Sequence, residues 1–200
     1  MTYNDLEVML MKSYAQMPEG YTLSYDLHLL KNKRVFVLLN VLSFVLIVPL
    51  IPGVLFFDFT TLEIPHLLLF IVMMVLSVVI HELIHAFFFH RFSGTKVKFQ
   101  FHGWAASAST PGIYYRKKYY RIIGLAPAVI LNPLLLLMAL LLPAPYNLVS
   151  YLTLMVHFSG CVGDFYVTWI MRKYPEDMYA EDTGIGMRFY EKTKQDIDFD

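Results

Sequence analysis

Four long apolar stretches dominate the chain. Residues 35–57, 67–90, 122–142 and 148–171 are each almost free of charge and each reaches the roughly 20 residues that a helix needs to cross a hydrocarbon core. They predict four membrane spans. Pro49, Pro52 and Gly53 fall near the far end of the first stretch and predict a kink or fraying there. Pro127, Asn132 and Pro133 interrupt the third. Residues 58–66 and 143–147 read as short turns, and 91–121 as a longer loop. The chain then divides into a polar lead (1–34), a four-span core (35–171) and a polar tail (172–200).

The polar segments carry weaker patterns. Asn4 is placed to cap a short helix running to Lys12, and Met17-Pro18-Glu19-Gly20-Tyr21 reads as a turn. Residues 21–30 alternate weakly, which fits a strand or an interfacial helix. Val97, Phe99 and Phe101 alternate with Lys98, Gln100 and His102, a strand signal. The small residues of 105–110 and the Pro111-Gly112 pair then suggest a hairpin, or a segment dipping into the protein where protein or water covers its backbone. The predicted fold class is an all-α integral membrane protein with four transmembrane helices and a small β-like segment between spans two and three.

Composition sharpens this picture. Hydrophobic residues make up 57% of the chain and charged residues 16%, against roughly 45–50% apolar in an average soluble domain. The formal net charge is zero, so no bulk field attracts nucleic acid and none is expected as a partner. The sixteen Lys and Arg residues are distributed four in the lead, seven in the 91–121 loop and five in the tail, with none in the two short turns. That asymmetry predicts both termini and the long loop on the cytosolic side. No cleavable signal is visible in the polar lead, so the first span is expected to act as an uncleaved anchor in a bacterial inner membrane. The run Arg116-Lys117-Lys118-Tyr119-Tyr120-Arg121 reads as an interfacial anchor, and a site for anionic lipid is the sharper alternative. A single cysteine, Cys161, excludes an internal disulfide and a multi-cysteine zinc site.

The second span ends in His81-Glu82-Leu83-Ile84-His85, an HExxH pentad. On a helix, residues i and i+4 share one face, so His81 and His85 offer two imidazoles to one metal ion. Glu82 is then placed as the general base of a zinc site. With seven His and seven Glu in the chain, the pattern arises by chance in about one such chain in a hundred. Its location adds weight, because ionisable residues inside a span are costly and point to function.

A catalytic zinc takes three protein ligands, and Glu82 and Asp164 are the only acids within the four stretches. Asp164 follows Ser159-Gly160-Cys161-Val162-Gly163, where Ser159 and Gly163 form a small-residue pair that lets helices approach. His81 lies ten residues before Arg91 and Asp164 eight before Arg172, which places them at similar depths of roughly 15 and 12 Å. His157 and Asn132 are candidates for supporting the ligands or an oxyanion, and Cys161 for lining the site. His90 is expected to be solvated, His66 and His102 to lie in loops, and Pro127 and Pro133 to act as kinks.

The order of HExxH span, basic loop, span with proline and asparagine, then span with Gly163-Asp164 resembles the site-2 protease group of intramembrane metalloproteases. The chain is also similar to a small bacterial membrane family of zincin peptidases. Met17 to Tyr21, the basic end of the lead, the pentad, Ser159-Gly160 to Gly163-Asp164 and Asp182-Thr183-Gly184 carry that likeness. The resemblance implies zinc held by His81, His85 and Asp164, with Glu82 as the catalytic base. The expected function is zinc-dependent endopeptidase action on membrane-embedded or membrane-proximal peptides, with the lipid bilayer and a membrane protein or peptide as partners. A non-enzymatic metal-binding or transport protein, and a zinc-dependent hydrolase of lipid amides or esters, are the alternatives.

Overall fold

The computed structural model describes residues 12–28, 32–101, 106–184 and 186–193. The helix expected from Asn4, residues 29–31, and the His102 and Gly103 positions lie outside that description. Five α-helices are described: α1 (Lys33–Ile47), α2 (Ile64–Ser93), α3 (Lys117–Leu141), α4 (Tyr146–Gly160) and α5 (Val162–Met171). Seven strands accompany them: β1 (Ser13–Tyr14), β2 (Tyr21–His28), β3 (Lys98–Phe101), β4 (Ala106–Ser109), β5 (Tyr114–Arg116), β6 (Tyr179–Asp182) and β7 (Gly186–Lys192).

The helix boundaries follow local chemistry. Asn32 caps α1, its side-chain oxygen accepting the N–H groups of Arg34 and Val35 at 3.1 and 3.3 Å. The α-helix then tightens to a 3-10 helix over Val48–Phe56, where Pro49 and Pro52 remove donors. The Tyr151 hydroxyl donates to the Leu50 carbonyl at 2.8 Å, and Gly53 leaves the room that this ring occupies. Glu63 and His66 form a capping box at the start of α2, so His66 belongs to a helix rather than to a loop. Gly94, at φ 69°, closes α2 in the left-handed conformation.

Four helical segments are long and apolar enough to cross a membrane, by length and composition: Lys33–Phe56, Ile64–Ser93, Lys117–Leu141 and Tyr146–Met171. The last is not one helix. It breaks at Cys161, between α4 and α5, three residues before Asp164. Leu55 and Phe56 on the first segment are 82% and 90% exposed, an apolar surface far beyond what a water-soluble protein leaves open.

The polar segments correct the all-α expectation, because the fold is mixed α and β. Strands β1, β5, β6, β7 and β2 pair in that order into one antiparallel sheet. It joins the lead, the long loop and the tail, and residues 21–28 are its β2 strand. The tail, read from the sequence only as polar, supplies β6 and β7. Its strand signal is modest: Met187 and Phe189 are buried while Arg188 and Tyr190 are partly exposed, and β6 on one side and β2 of the lead on the other complete the pairing. Strands β3 and β4 form a separate hairpin, with Phe99 opposite Ala108.

The sheet packs on one end of the helices. Phe89 of α2, Ile123 of α3, Met171 of α5, and Met187 and Phe189 of β7 belong to one buried cluster. Lys117, expected in an exposed basic run, is buried at 2% exposure; its ammonium donates to the Tyr174 carbonyl and to Glu176 at 2.6 and 2.8 Å. A second, smaller cluster, Leu131, Leu135 and Leu154, joins α3 to α4. Between the sheet-covered end and that cluster lies the polar centre of the molecule.

Candidate metal centre

One turn of α2 separates His81 from His85, and their Nε2 atoms lie 3.1 Å apart. Asp164, in the first turn of α5, places one carboxylate oxygen 3.3 Å from His81 Nε2 and the other 3.4 Å from His85 Nε2. The break at Cys161 produces this position, because it starts a new helix whose first turn carries the acid. The small residues of this segment act differently from the sequence expectation. A Cβ built on Gly160 or Gly163 would meet nothing within 4 Å, so these glycines open a cavity rather than admit a neighbouring helix. The close approach is instead at Gly124, where a Cβ would lie 3.4 Å from the Thr168 hydroxyl.

Hydrogen bonds define the imidazole tautomers. His85 Nδ1 lies 2.9 Å from the Ile123 carbonyl, which can only accept, so Nδ1 carries the proton and, in the neutral ring, Nε2 a lone pair. That carbonyl is open because of Pro127. In an uninterrupted helix the N–H of residue 127 would bond to it, and proline has none. Pro127 therefore does more than interrupt the helix. His81 is oriented through a chain: Asn132 Oδ1 accepts from His157 Nδ1 at 2.6 Å, and His157 Nε2 accepts from His81 Nδ1 at 3.1 Å. This leaves His81 Nε2 with a lone pair as well. His157 has both ring nitrogens engaged, one with Asn132 and one with His81.

Two imidazole Nε2 atoms and a carboxylate converge within 3.4 Å, an arrangement that a cation among them would bridge. Donors held 2.0–2.2 Å from a tetrahedral zinc are about 3.3–3.6 Å apart, within a few tenths of an ångström of the three separations here. The donor set fits zinc. Among the described residues, a second group of possible metal ligands is His81, His157 and Cys161. It uses the His81 nitrogen already bonded to His157, with the thiol 3.9 to 4.0 Å from the ring nitrogens. His157 and Cys161 also lie outside the cavity that His81, Glu82, His85 and Asp164 line.

Glu82 is held from a direction that the sequence did not reveal. Its Oε2 accepts the backbone N–H of Ala108 at 2.7 Å. The β4 strand thus lies over the pentad, with its unpaired edge towards α2. Beside it, Asp182 of the tail accepts from the Tyr120 hydroxyl at 2.7 Å and from the Gly184 N–H at 2.8 Å. Burial pushes the Asp182 carboxyl up to about 6, and these two hydrogen bonds pull against that rise. His90, expected to be solvated, is exposed and bonds to the Thr95 carbonyl at 3.0 Å.

A cavity of about 370 Å³ connects these groups. Its walls come from α1 (Asn40 and Ser43), α2, β4, α5 and the β6–β7 turn. Asn40 and Ser43 are the only polar side chains of α1 beyond its basic first turn, and both face this space.

No curated protein and no solved structure matches the chain. A family model described as "Putative zincin peptidase" matches residues 74–179. That span includes the pentad, Asn132, His157 and Asp164, and ends before Asp182. With more than half of its length inside this match, the chain belongs to the zincin peptidase family that the description names.

Proposed function

We propose that the protein is a zinc-dependent endopeptidase of the membrane, with His81, His85 and Asp164 as the metal ligands and Glu82 as the general base. It would cleave peptides within or close to the bilayer. The observation that carries this reading is the Glu82 carboxylate, fixed by a strand N–H at the mouth of a cavity into which three metal-type donors converge. A metal carrier has no use for an acid held in that way.

Zinc bound by these ligands supplies a Lewis acid that polarises the scissile carbonyl and makes a water acidic near neutral pH. Glu82 takes the proton of the attacking water and delivers it to the leaving amine nitrogen. With Oε2 anchored on Ala108 N–H, Oε1 is the oxygen that holds the proton in transit. His81 and His85 remain neutral throughout, because His157 and the Ile123 carbonyl keep their Nδ1 protons in place. A substrate helix must unwind locally, since helical carbonyls are already hydrogen-bonded. The unpaired edge of β4 can then hold the extended segment by strand addition; β3, the strand expected from the sequence, lies on the hairpin's outer side.

Orientation belongs to the same reading. Lead, loop and tail pair into one sheet, which supports a common aqueous side for all three, and their Lys and Arg content supports the cytosol. A relation to the site-2 protease group fits the order of the pentad and the later aspartate along the chain.

The test uses full-length protein in proteoliposomes with a panel of single-span peptides and zinc content measured alongside. Glu82→Gln should retain zinc and lose about 10²- to 10⁴-fold in cleavage rate. Undiminished cleavage by the zinc-loaded variant would remove Glu82 as the base. Asp164→Ala should lose bound zinc, and tight stoichiometric zinc in that variant would exclude Asp164 from the ligand set.

A further inference from the structure

The tail also contributes to the wall of the metal-site cavity. The turn between β6 and β7 contributes Asp182, Gly184, Gly186 and Met187 to its wall, and Tyr120 lines it next to them. Hydrogen bonds join the turn's described residues. Asp182 Oδ1 accepts the Gly184 N–H, and the Thr183 hydroxyl donates to the Gly186 carbonyl at 2.9 Å. Gly184 adopts φ +81°, and a Cβ there would come within 2.6 Å of the Gln100 side chain and 3.0 Å of Ser109 Oγ. The tail turn and the β3–β4 hairpin are therefore in contact over the site, and Asp182 is held in one orientation towards the cavity.

The charge of this space is one-sided. Glu82, Asp164 and Asp182 all line it, and among the described residues no Lys or Arg does. Both hydrogen-bond donors to Asp182 are neutral, and among the described residues Asp182 has no ion pair. A divalent cation on His81, His85 and Asp164 offsets two of the three carboxylates and leaves one uncompensated. A carboxylate removed from bulk water without a counter-charge is destabilising unless a ligand brings that charge. The wall also carries the apolar side chains of Phe89, Val167 and Met187. Such a wall suits the methylene stem of a long cationic side chain, with its head on the carboxylate.

We propose that Asp182 is the specificity-determining residue of this cavity and selects peptides carrying a lysine or arginine side chain next to the scissile bond. The inference rests on the peptidase reading above and adds the substrate class. Asp182 lies just past the residues 74–179 that the family model matches.

The test separates the two levels. Nα-acetyl-L-lysine hydroxamate and Nα-acetyl-L-norleucine hydroxamate share a zinc-binding group and differ by one terminal ammonium. Each is titrated calorimetrically into the zinc-loaded full chain in detergent. The wild type should bind the lysine compound about tenfold or more tightly than the norleucine one. Asp182→Asn should abolish that preference while leaving norleucine affinity and zinc content unchanged. Asparagine keeps an acceptor for Gly184, and the Tyr120 hydroxyl can turn to accept from the amide. Equal binding of the two compounds by the wild type overturns the inference and leaves the metal site standing, and needs no variant. A preference that survives Asp182→Asn also overturns it. Failure of the zinc-loaded protein to bind either compound removes the peptidase reading, and the inference with it.

Discussion

Hydrogen bonds with Ile123, His157 and Asn132 fix the two imidazoles of the candidate centre. Pro127 has a part in this, because its missing N–H is what leaves the Ile123 carbonyl to His85. Pro127→Ala should therefore have opposite effects on two measurements. Thermal stability should rise, by up to about 3 kcal/mol from helix propensity alone. Zinc affinity should fall about tenfold, because the restored N–H competes for the carbonyl that orients the imidazole. A variant that is more stable and binds zinc as tightly as the wild type would show that the His85 hydrogen bond is dispensable. His157→Ala should weaken zinc by about 10- to 100-fold through the lost restraint on His81, measured by competition with a chelator of known affinity.

At the level of elements, strand β7 ties the tail to the lead. Gly186 faces His28 in the β2–β7 register, and a Cβ there would overlap the Leu27 carbonyl oxygen. A backbone atom in a paired strand cannot move aside as a flexible side chain can. Gly186→Ala should then cost about 1–3 kcal/mol, seen as a lowered Tm in detergent, and should loosen the turn that presents Asp182. An unchanged Tm would mean that the strands can shift apart at this point without penalty. The hairpin β3–β4 has the comparable role over α2, where one backbone N–H from Ala108 positions the Glu82 carboxylate.

For the whole molecule, the shared sheet makes a prediction about sides. In a Cys161→Ser background, single cysteines at Thr60 and Thr193 should label from opposite faces of the membrane. Thr60 lies in the turn between the first two spans, and Thr193 follows β7, where its N–H bonds to the Gly20 carbonyl at 2.7 Å. Membrane-impermeant reagent applied to intact spheroplasts should reach only Thr60Cys. Labelling of both positions from outside would overturn the proposed cytosolic placement of the tail.

Periodicity and charge determined the four apolar helices, the pentad and its helical face, because each depends on neighbours within a few turns. Asp164 was also legible, since so few acids occur within the spans that elimination could reach it. The sheet was not legible, because its five strands are short and come from segments more than 150 residues apart, and a strand's partners are chosen by packing. The same holds for the break at Cys161 and for the Ala108 contact to Glu82. Asp182 stood out in the sequence only as part of Asp182-Thr183-Gly184, which says nothing of where its carboxylate lies. Its residue type was visible in the tail, but only the folding of that tail back over α2 and α3 brings its carboxylate into the same cavity as His81, Glu82, His85 and Asp164.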